Sequence, residues 1–483
     1  MQSRRDQVQA HTYVLGRLSS ALVHAEPDAA ETPLRRTTLG WFAGLMIGML
    51  LVAVFAVFGV IFHGGSRSWT KPHVLIVEKE TGTRYVFADG TLHPVLNYAS
   101  ALLLLGTSKP DVRAVSKKSL AGVSHGRPVG IVGAPETMPT PGPRGGGSWL
   151  VCAASQPDES GTPQPLVTVQ MGAAAAGTPV PPGQAVLVRT PDDTRYLVWR
   201  TRRLKLTAQW IADALGLGSV PPVTVDPVWL NAMPSGPDLA PMQVDGRGQP
   251  GPRVAGRTLL VGQVVAVRNV GTDDAFHLVR PDGLERLTKT EAALLLGDPA
   301  TAAAYPGSTV QPVVVAAGAA ATAPPGPASG SGSDDADDVP AAPPHPAELL
   351  PGQVPCARHD TAAGDPDTSL VAAYPPPTSA VPAVGVPGVA ADSRIAGRIG
   401  VAPGWGCLAR PLLPSGAGGA SYYLVTDLGV KYPVPTRELA ATLGYDASGA
   451  ALVPASMLAL LPTGPALDPA ALGPSAPPGV TAM

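Results

Sequence analysis

The 24 residues from Leu39 to Phe62 carry no charged side chain, and Gly64 and Gly65 follow them. About 20 apolar residues cross the ~30 Å hydrocarbon core of a bilayer as a helix, so this run spans it with some tilt. A secretory signal has a short basic start, roughly 7 to 15 apolar residues and a small-residue cleavage site. Here the preceding segment is long, the apolar run is too long, and no A-x-A motif follows. Arg35 and Arg36 flank the run on one side, Arg67 and Lys71 on the other. Long domains are exported largely regardless of charge, so the informative flank is the short one, which carries Arg4, Arg5, Arg17, Arg35 and Arg36. The expectation is a single-pass protein of the inner (plasma) membrane with its N-terminus in the cytoplasm. Its large C-terminal region, with all three cysteines, is then periplasmic or extracytoplasmic.

A formal net charge of -2 gives no concentrated basic face for nucleic acid. With 55 glycines and 56 prolines in 483 residues and only 5% aromatics, the large anchors of one thick core are scarce. The exported part is therefore expected as several small, loop-rich units. Ahead of the span, Val8, His11, Leu15, Leu18 and Leu22 fall at helical spacing, and Glu26-Pro27-Asp28 stops the helix. Such a helix is marginal alone in water. It lies along the membrane or a neighbour, or it docks on a cytosolic partner.

Beyond the span the chain repeats itself. Tyr85, Tyr196, Phe276 and Tyr423 each sit in a strand-like segment, and each is followed twenty or twenty-one residues later by the glycine of a Leu-Gly pair, at Gly106, Gly216, Gly297 and Gly444. Hairpin turns follow the aromatics at Asp89-Gly90, Asp282-Gly283 and, more weakly, Leu428-Gly429. After a second short strand, Asn97, Thr207, Thr288 or Thr436 caps an Ala/Leu-rich helix, with Thr288 and Glu291 spaced as a capping box. The closing glycine suits a left-handed helix end. Val115, Val225 and Val453, then Leu120, Leu230 and Leu458, keep step in three units. Met233-Pro234-Ser235-Gly236-Pro237 also matches Leu461-Pro462-Thr463-Gly464-Pro465. The third unit is expected to depart from this ending.

A hairpin-plus-helix module buries its own apolar face poorly, so the units must pack on one another or on a shared centre. Strand-like runs at Trp149 to Cys152, Val167 to Val169, Val354 to Cys356 and Ser369 to Ala372 supply that centre. The fold class is α+β: one transmembrane helix, then an elongated exported region with four hairpin-helix repeats around a central β-rich domain. The divisions are a cytosolic helix and tail at 1–38, the span at 39–62, a linker at 63–73 and repeat 1 at 74–140. The first central segment at 141–185, repeat 2 at 186–243, a connection at 244–262 and repeat 3 at 263–315 follow. An Ala/Pro/Gly/Asp linker at 316–345, the second central segment at 346–420, repeat 4 at 421–470 and a tail at 471–483 complete the chain. Asp334, Asp335, Asp337 and Asp338 read as solvated linker charges, because nothing holds them in a calcium cage.

Three cysteines in an oxidising compartment leave one unpaired. A bridge between Cys152 and Cys356 would tie two distant segments and contribute on the order of 4 kcal/mol in the chain-entropy model. Cys407 then reads as a buried thiol, with exchange onto either partner left open.

Several stretches resemble the EccB family, a membrane core component of the type VII (ESX) secretion system of actinobacteria. They are Arg5-Asp6-Gln7-Val8-Gln9-Ala10-His11, Glu78 to Val86, Leu92 to Ala101, and Leu460-Leu461-Pro462-Thr463-Gly464-Pro465. The resemblance covers nearly the whole chain. It implies a cytosolic helix, one span, four repeats around a central domain, homo-oligomer contacts, and assembly with other translocon membrane subunits, including its cytoplasmic ATPase. It also implies that the family's disulfide corresponds to Cys152 and Cys356. The Pro-rich insert before Pro346 and the third cysteine depart from the pattern.

The family's ATPase label requires a nucleotide site. A P-loop reads G-x-x-x-x-G-K-[ST], its lysine reaching the terminal phosphates. The nearest match has Gly251, Gly256, Arg257 and Thr258, with arginine for lysine, in what reads as a loop before a strand at Leu259 to Val267. No cofactor or metal is expected: the nine histidines lack metal-ligand spacing, and His93 beside Pro94 reads as a turn or packing residue. No nucleophile is paired with a base. Three functions stand: a structural translocon subunit, an exported ATP hydrolase of that system, or a wall-binding protein whose repeats grip peptidoglycan.

Overall fold

The computed structural model describes residues 4–25, 33–61, 67–141, 147–172, 177–268, 273–326, 338–361, 367–375, 388–390, 394–413 and 418–472. The chain divides into two units, one holding residues 1–71, 78–82 and 114–123, the other the remainder.

In the first unit, helices run over Arg4–His24 and Pro33–Ile61. The second contains a 21-residue stretch, Thr37–Val57, long and apolar enough to cross a membrane and entirely unburied by protein. The expected stop at Glu26 to Asp28 and the end of the span at Phe62 lie outside the described residues. On the first helix Val8, Leu15, Leu18 and Leu22 are all exposed, so the apolar stripe is present and open.

In the second unit one topology recurs. Repeat 2 is a three-stranded meander, Gln184–Arg189, Arg195–Trp199 and Arg202–Lys205, followed by the helix Trp210–Ala214. The strand Val223–Thr224 then returns parallel to the first strand, and the short helix Pro227–Leu230 follows. Repeat 3 has the strands Val264–Arg268, Ala275–Val279 and Leu284–Leu287, the helix Lys289–Gly297, the parallel return strand Val313–Ala316 and the short helix Ala317–Ala321. Repeat 4 has Trp405–Leu412, Tyr422–Val425, Lys431–Val434, the helix Arg437–Thr442, the return strand Ala451–Pro454 and the helix Ala455–Leu458. Repeat 1 opens alike with Val74–Glu78, Arg84–Ala88, Thr91–Pro94 and the helix Tyr98–Leu105. Each aromatic mark is the second residue of the middle strand of its meander, but by pairing register Tyr85, Tyr196 and Tyr423 are equivalent and their counterpart in repeat 3 is His277, one residue after Phe276.

Each repeat also closes alike. Arg203 N–H donates to Pro234 O at 3.0 Å and Gly236 N–H returns to Arg203 O at 2.9 Å. Leu284 exchanges the same pair of bonds with Pro324 and Gly326, and Lys431 with Pro462 and Gly464. In repeat 1, Gly126 N–H donates to Leu92 O. A Cβ on the closing glycine would lie 2.5 Å from the His93 ring, 2.4 Å from Leu204, 2.8 Å from Glu285 N or 2.3 Å from Tyr432, so any other residue there would force its neighbour to shift.

These elements correct several expectations. The third unit keeps the common ending, displaced by the inserted 3-10 helix Pro299–Ala304, so Val315 fills the place of Val225 and Val453. The expected linker 316–345 is therefore partly structured: residues 316–326 finish repeat 3, while 327–337 lie outside the described residues. Asp338 pairs with Arg202 at 2.6 Å, and His345–Pro346 adds to the sheet of repeat 2. Asp334, Asp335 and Asp337 lie outside the described residues. Repeat 4 begins at Trp405, not at 421: its first strand follows the turn at Pro403-Gly404, and Cys407 thus belongs to this repeat.

Three of the four expected caps form: Asn97, Thr288 and Thr436 each accept from a backbone N–H of the first turn, Thr288 in a complete capping box. Thr207 does not, because its hydroxyl donates to Leu239 O at 3.1 Å and the helix starts later. Gly106, Gly216 and Gly444 have positive φ. Gly297 instead remains helical, and Asp298 caps that end.

The central sheet has six strands, in the order Arg398–Val401, Pro163–Met171, Ser148–Pro157, Val354–Asp360, Asp367–Ala373, Thr178–Pro179. All four strand-like runs predicted for it lie in this sheet. Its core includes Trp149, Val151, Val169 and Ala357, and continues into Val186, Val188 and Val198 of repeat 2 and Ala409, Val425 and Val453 of repeat 4. Alternation along each strand sends the other face to the repeat's own helix: Leu187, Leu197 and Leu204 pack with Ile211 in repeat 2.

Candidate assembly site

The residues singled out for chemistry are placed as follows. Cys152 and Cys356 stand directly opposite on adjacent antiparallel strands, Cα to Cα 4.0 Å, and are bonded. Register alone brings these two to disulfide range, the closest approach in an antiparallel ladder being about 4.5 Å. Cys407 is a free, buried thiol, which burial alone pushes up to about 12.

Gly251, Gly256, Arg257 and Thr258 do not form a loop before one long strand. They lie in a hairpin of Pro250–Val254 and Arg257–Leu260, and the chain turns again before Val264–Arg268. Ala255 and Gly256 both have positive φ at the turn, and Arg253 faces Thr258 across the ladder. A phosphate cradle needs a strand, a loop with free N–H groups and a helix start; these residues present a two-stranded ladder. Packing accounts for the hairpin. Val254 and Leu259 cover Val265, Val267 and Val279, while the helix Lys289–Gly297 covers Val264 and Leu278 on the opposite face. In repeats 2 and 4 the central core provides that second cover; in repeat 3 the hairpin does.

His93 packs against Gly126, its Nδ1 3.4 Å from Arg127 O. Among the described residues no cluster of three or more His, Cys, Asp or Glu is placed to hold a metal.

The structure does build seams between repeats. Trp229, on the short helix of repeat 2, donates from Nε1 to Val151 O of the central sheet at 2.9 Å. His359, fully buried in that sheet, joins Leu452 O of repeat 4 at 2.8 Å and Thr368 Oγ1 at 2.9 Å. Repeats 2 and 3 meet helix on helix: a Cβ on Gly297 would lie 2.5 Å from that of Ala214 and 3.2 Å from the Trp210 ring. Repeats 1 and 4 share a core of Leu102, Leu104, Leu443 and Tyr445, and Tyr445 donates to Pro139 O at 2.6 Å. Sequence reasoning missed these seams, whose partners lie up to 306 residues apart.

One apolar helix of membrane length, with repeats wedged around a disulfide-tied sheet, defines a membrane-anchored architectural protein. Residues 1–473 match the family described as type VII secretion system ESX-1, transport TM domain B, EccB, and the chain belongs to that family. It is 28% identical to the ESX-3 secretion system ATPase EccB3 of Mycolicibacterium smegmatis, covering 96% of this chain and 89% of that protein. It is 28% identical to the ESX-1 secretion system ATPase EccB1 of the same species, covering 96% and 93%. Among solved structures it resembles the EccB3 dimer from the ESX-3 core complex, with TM-score 0.64 and 25% identity over 82% of this chain and 99% of that one. A chain of an intact ESX-5 inner membrane complex shares the fold, with TM-score 0.64 and 23% identity over 98% and 95%. This chain is accordingly a membrane component of the type VII secretion class.

Proposed function

We propose that this chain is a non-catalytic scaffold of a type VII translocon, holding membrane subunits together through its span and its repeat array. The observation that carries this reading is the closing geometry common to the repeats, packed on one another and on the central sheet. Repetition of a rigid module serves the display of surfaces. The solved relatives, parts of an inner membrane complex and of a dimer, support a second copy of this chain and other membrane subunits as its partners, and the resemblance implies the cytoplasmic ATPase among them. The basic N-terminal flank supports a cytoplasmic side for residues 1–38, and the Cys152–Cys356 bridge fits an oxidising compartment for the rest.

The test is to solubilise host membranes in mild detergent, capture the chain by a tag after Met483, and identify what elutes by native size and mass spectrometry. A large particle containing a secretion ATPase supports the scaffold; a lone monomer overturns it. The printed name of the curated relatives favours a second reading, an exported ATP hydrolase. Nucleotide turnover by the purified chain, surviving removal of every co-purifying ATPase, would establish that reading.

A further inference from the structure

Among the described residues, repeat 3 alone keeps its cores to itself. One core lies between its sheet and the covering hairpin, the other between its sheet and its helix, and every residue of both falls between Met242 and Ala323. Repeats 2 and 4 instead give Val225, Trp229, Val453 and Met457 to a core held in common with the central sheet, and repeats 1 and 4 share another.

The short helices encode the difference. Seven residues before the closing glycine stand Trp229 in repeat 2, Met457 in repeat 4 and Ala319 in repeat 3; six before it stand Leu230, Leu458 and Ala320. The large side chains are buried in the common core, whereas no residue of Ala317–Ala321 is buried. Alanine is too short to anchor a module on a shared centre. The segment from Met242 to Gly326 has about 85 residues, and many domains of ~60 already fold alone.

The seam with repeat 2 is made by one helix. Leu294 enters the repeat 2 core, Gly297 meets Ala214 and Trp210, and Thr290 N–H donates to Ala341 O at 3.3 Å. The chain passes from one core to the other in a few residues: Leu239 N–H donates to Lys205 O of repeat 2 at 2.7 Å, and Met242 packs in repeat 3. Between them lie Ala240, which is exposed, and Pro241. Modules of one chain move relative to each other unless their interface is large and apolar, and such openings cost less than global unfolding. We propose that repeat 3 is a hinged arm, a self-contained module that turns about Ala240-Pro241 and opens its seam with repeat 2 while its own fold persists. Opening uncovers Trp210 and Leu294. The proposal does not depend on the scaffold reading.

The experiment uses the full chain in detergent and reads amide hydrogen exchange strand by strand by mass spectrometry. Leu295→Ala, inside the repeat 3 core, should speed exchange of the strands Val264–Arg268 and Ala275–Val279 about tenfold or more and leave repeats 2 and 4 within about twofold. Met457→Ala, in the common core, should do the reverse. Gly297→Leu forces the seam open; the repeat 3 strands should keep their protection, while the distance between spin labels on the exposed positions Ser219→Cys and Gln311→Cys should lengthen and broaden. Leu295→Ala or Met457→Ala accelerating all repeats alike would overturn the proposal. So would loss of repeat 3 protection in Gly297→Leu, or an unchanged label distance there.

Discussion

His359 Nε2 lies 2.8 Å from Leu452 O, a hydrogen bond that joins the middle of the central sheet to the return strand of repeat 4. A carbonyl only accepts, so Nε2 carries the proton; Nδ1 of the neutral ring accepts from Thr368 Oγ1. Burial lowers the His359 pKa, against weaker opposing effects of the Leu452 bond, Asp360 and Asp367. The unfolded chain therefore binds a proton near pH 6.5 that the folded chain refuses. Stability is full above about pH 6.5 and falls as the pH drops from there toward the folded value. Tm measured from pH 7.5 to 5.5 should decline, and His359→Gln should flatten the decline. His277, also lowered by burial, leaves a residual slope.

The Cys152–Cys356 bridge closes a separation of 204 residues. Replacing both by serine should cost about 3 to 5 kcal/mol, read as a lower denaturant midpoint. Alkylation counts the thiols. The native chain should label at none of its three cysteines, the unfolded chain at Cys407 alone, and the unfolded and reduced chain at all three, because Cys407 is buried and held as the thiol.

Gly297 marks the closest approach of the helices of repeats 2 and 3. Gly297→Ala raises helix propensity by ~1 kcal/mol yet overpacks a seam where such changes cost about 1 to 3 kcal/mol. Net destabilisation is expected in chemical unfolding. Ala214→Gly added to it should recover part of the loss, a non-additivity that a double-mutant cycle reads directly.

Arg280 Nε donates to Glu285 Oε2 at 2.6 Å across the turn of repeat 3, and Glu285 is buried. Arg280→Ala would strand that carboxylate and should cost about 3 kcal/mol. Arg280→Ala with Glu285→Gln should cost less than Arg280→Ala alone, since the amide carries no uncompensated charge. Equal losses would show that Arg280 acts by packing.

Local signals in the chain were enough for the span, the four aromatic marks, three helix caps and the strand segments of the central sheet, because each depends on residues within one or two turns. Tyr85, Tyr196 and Tyr423 take one register position, while in repeat 3 that position belongs to His277 and Phe276 lies one residue earlier, facing the repeat's own helix. The common ending of the third repeat was hidden by the inserted Pro299–Ala304, since a fixed offset cannot follow an insertion.

By itself, the sequence determined that a single span precedes a repeated module, since hydrophobic length, turn residues and caps are short-range properties. Only the tertiary structure decided what each module packs on. Gly297 could as well have ended its helix left-handed as its three counterparts do, and contact with Ala214 and Trp210 made it a seam instead. The Gly251 to Thr258 segment carries phosphate-loop spacing, and the open face of the repeat 3 sheet made it a covering hairpin. The physical reason is common to both. Apolar surface left over when a module folds must be buried by whatever is nearest in space, and nearness in space is not written at any fixed distance along the chain.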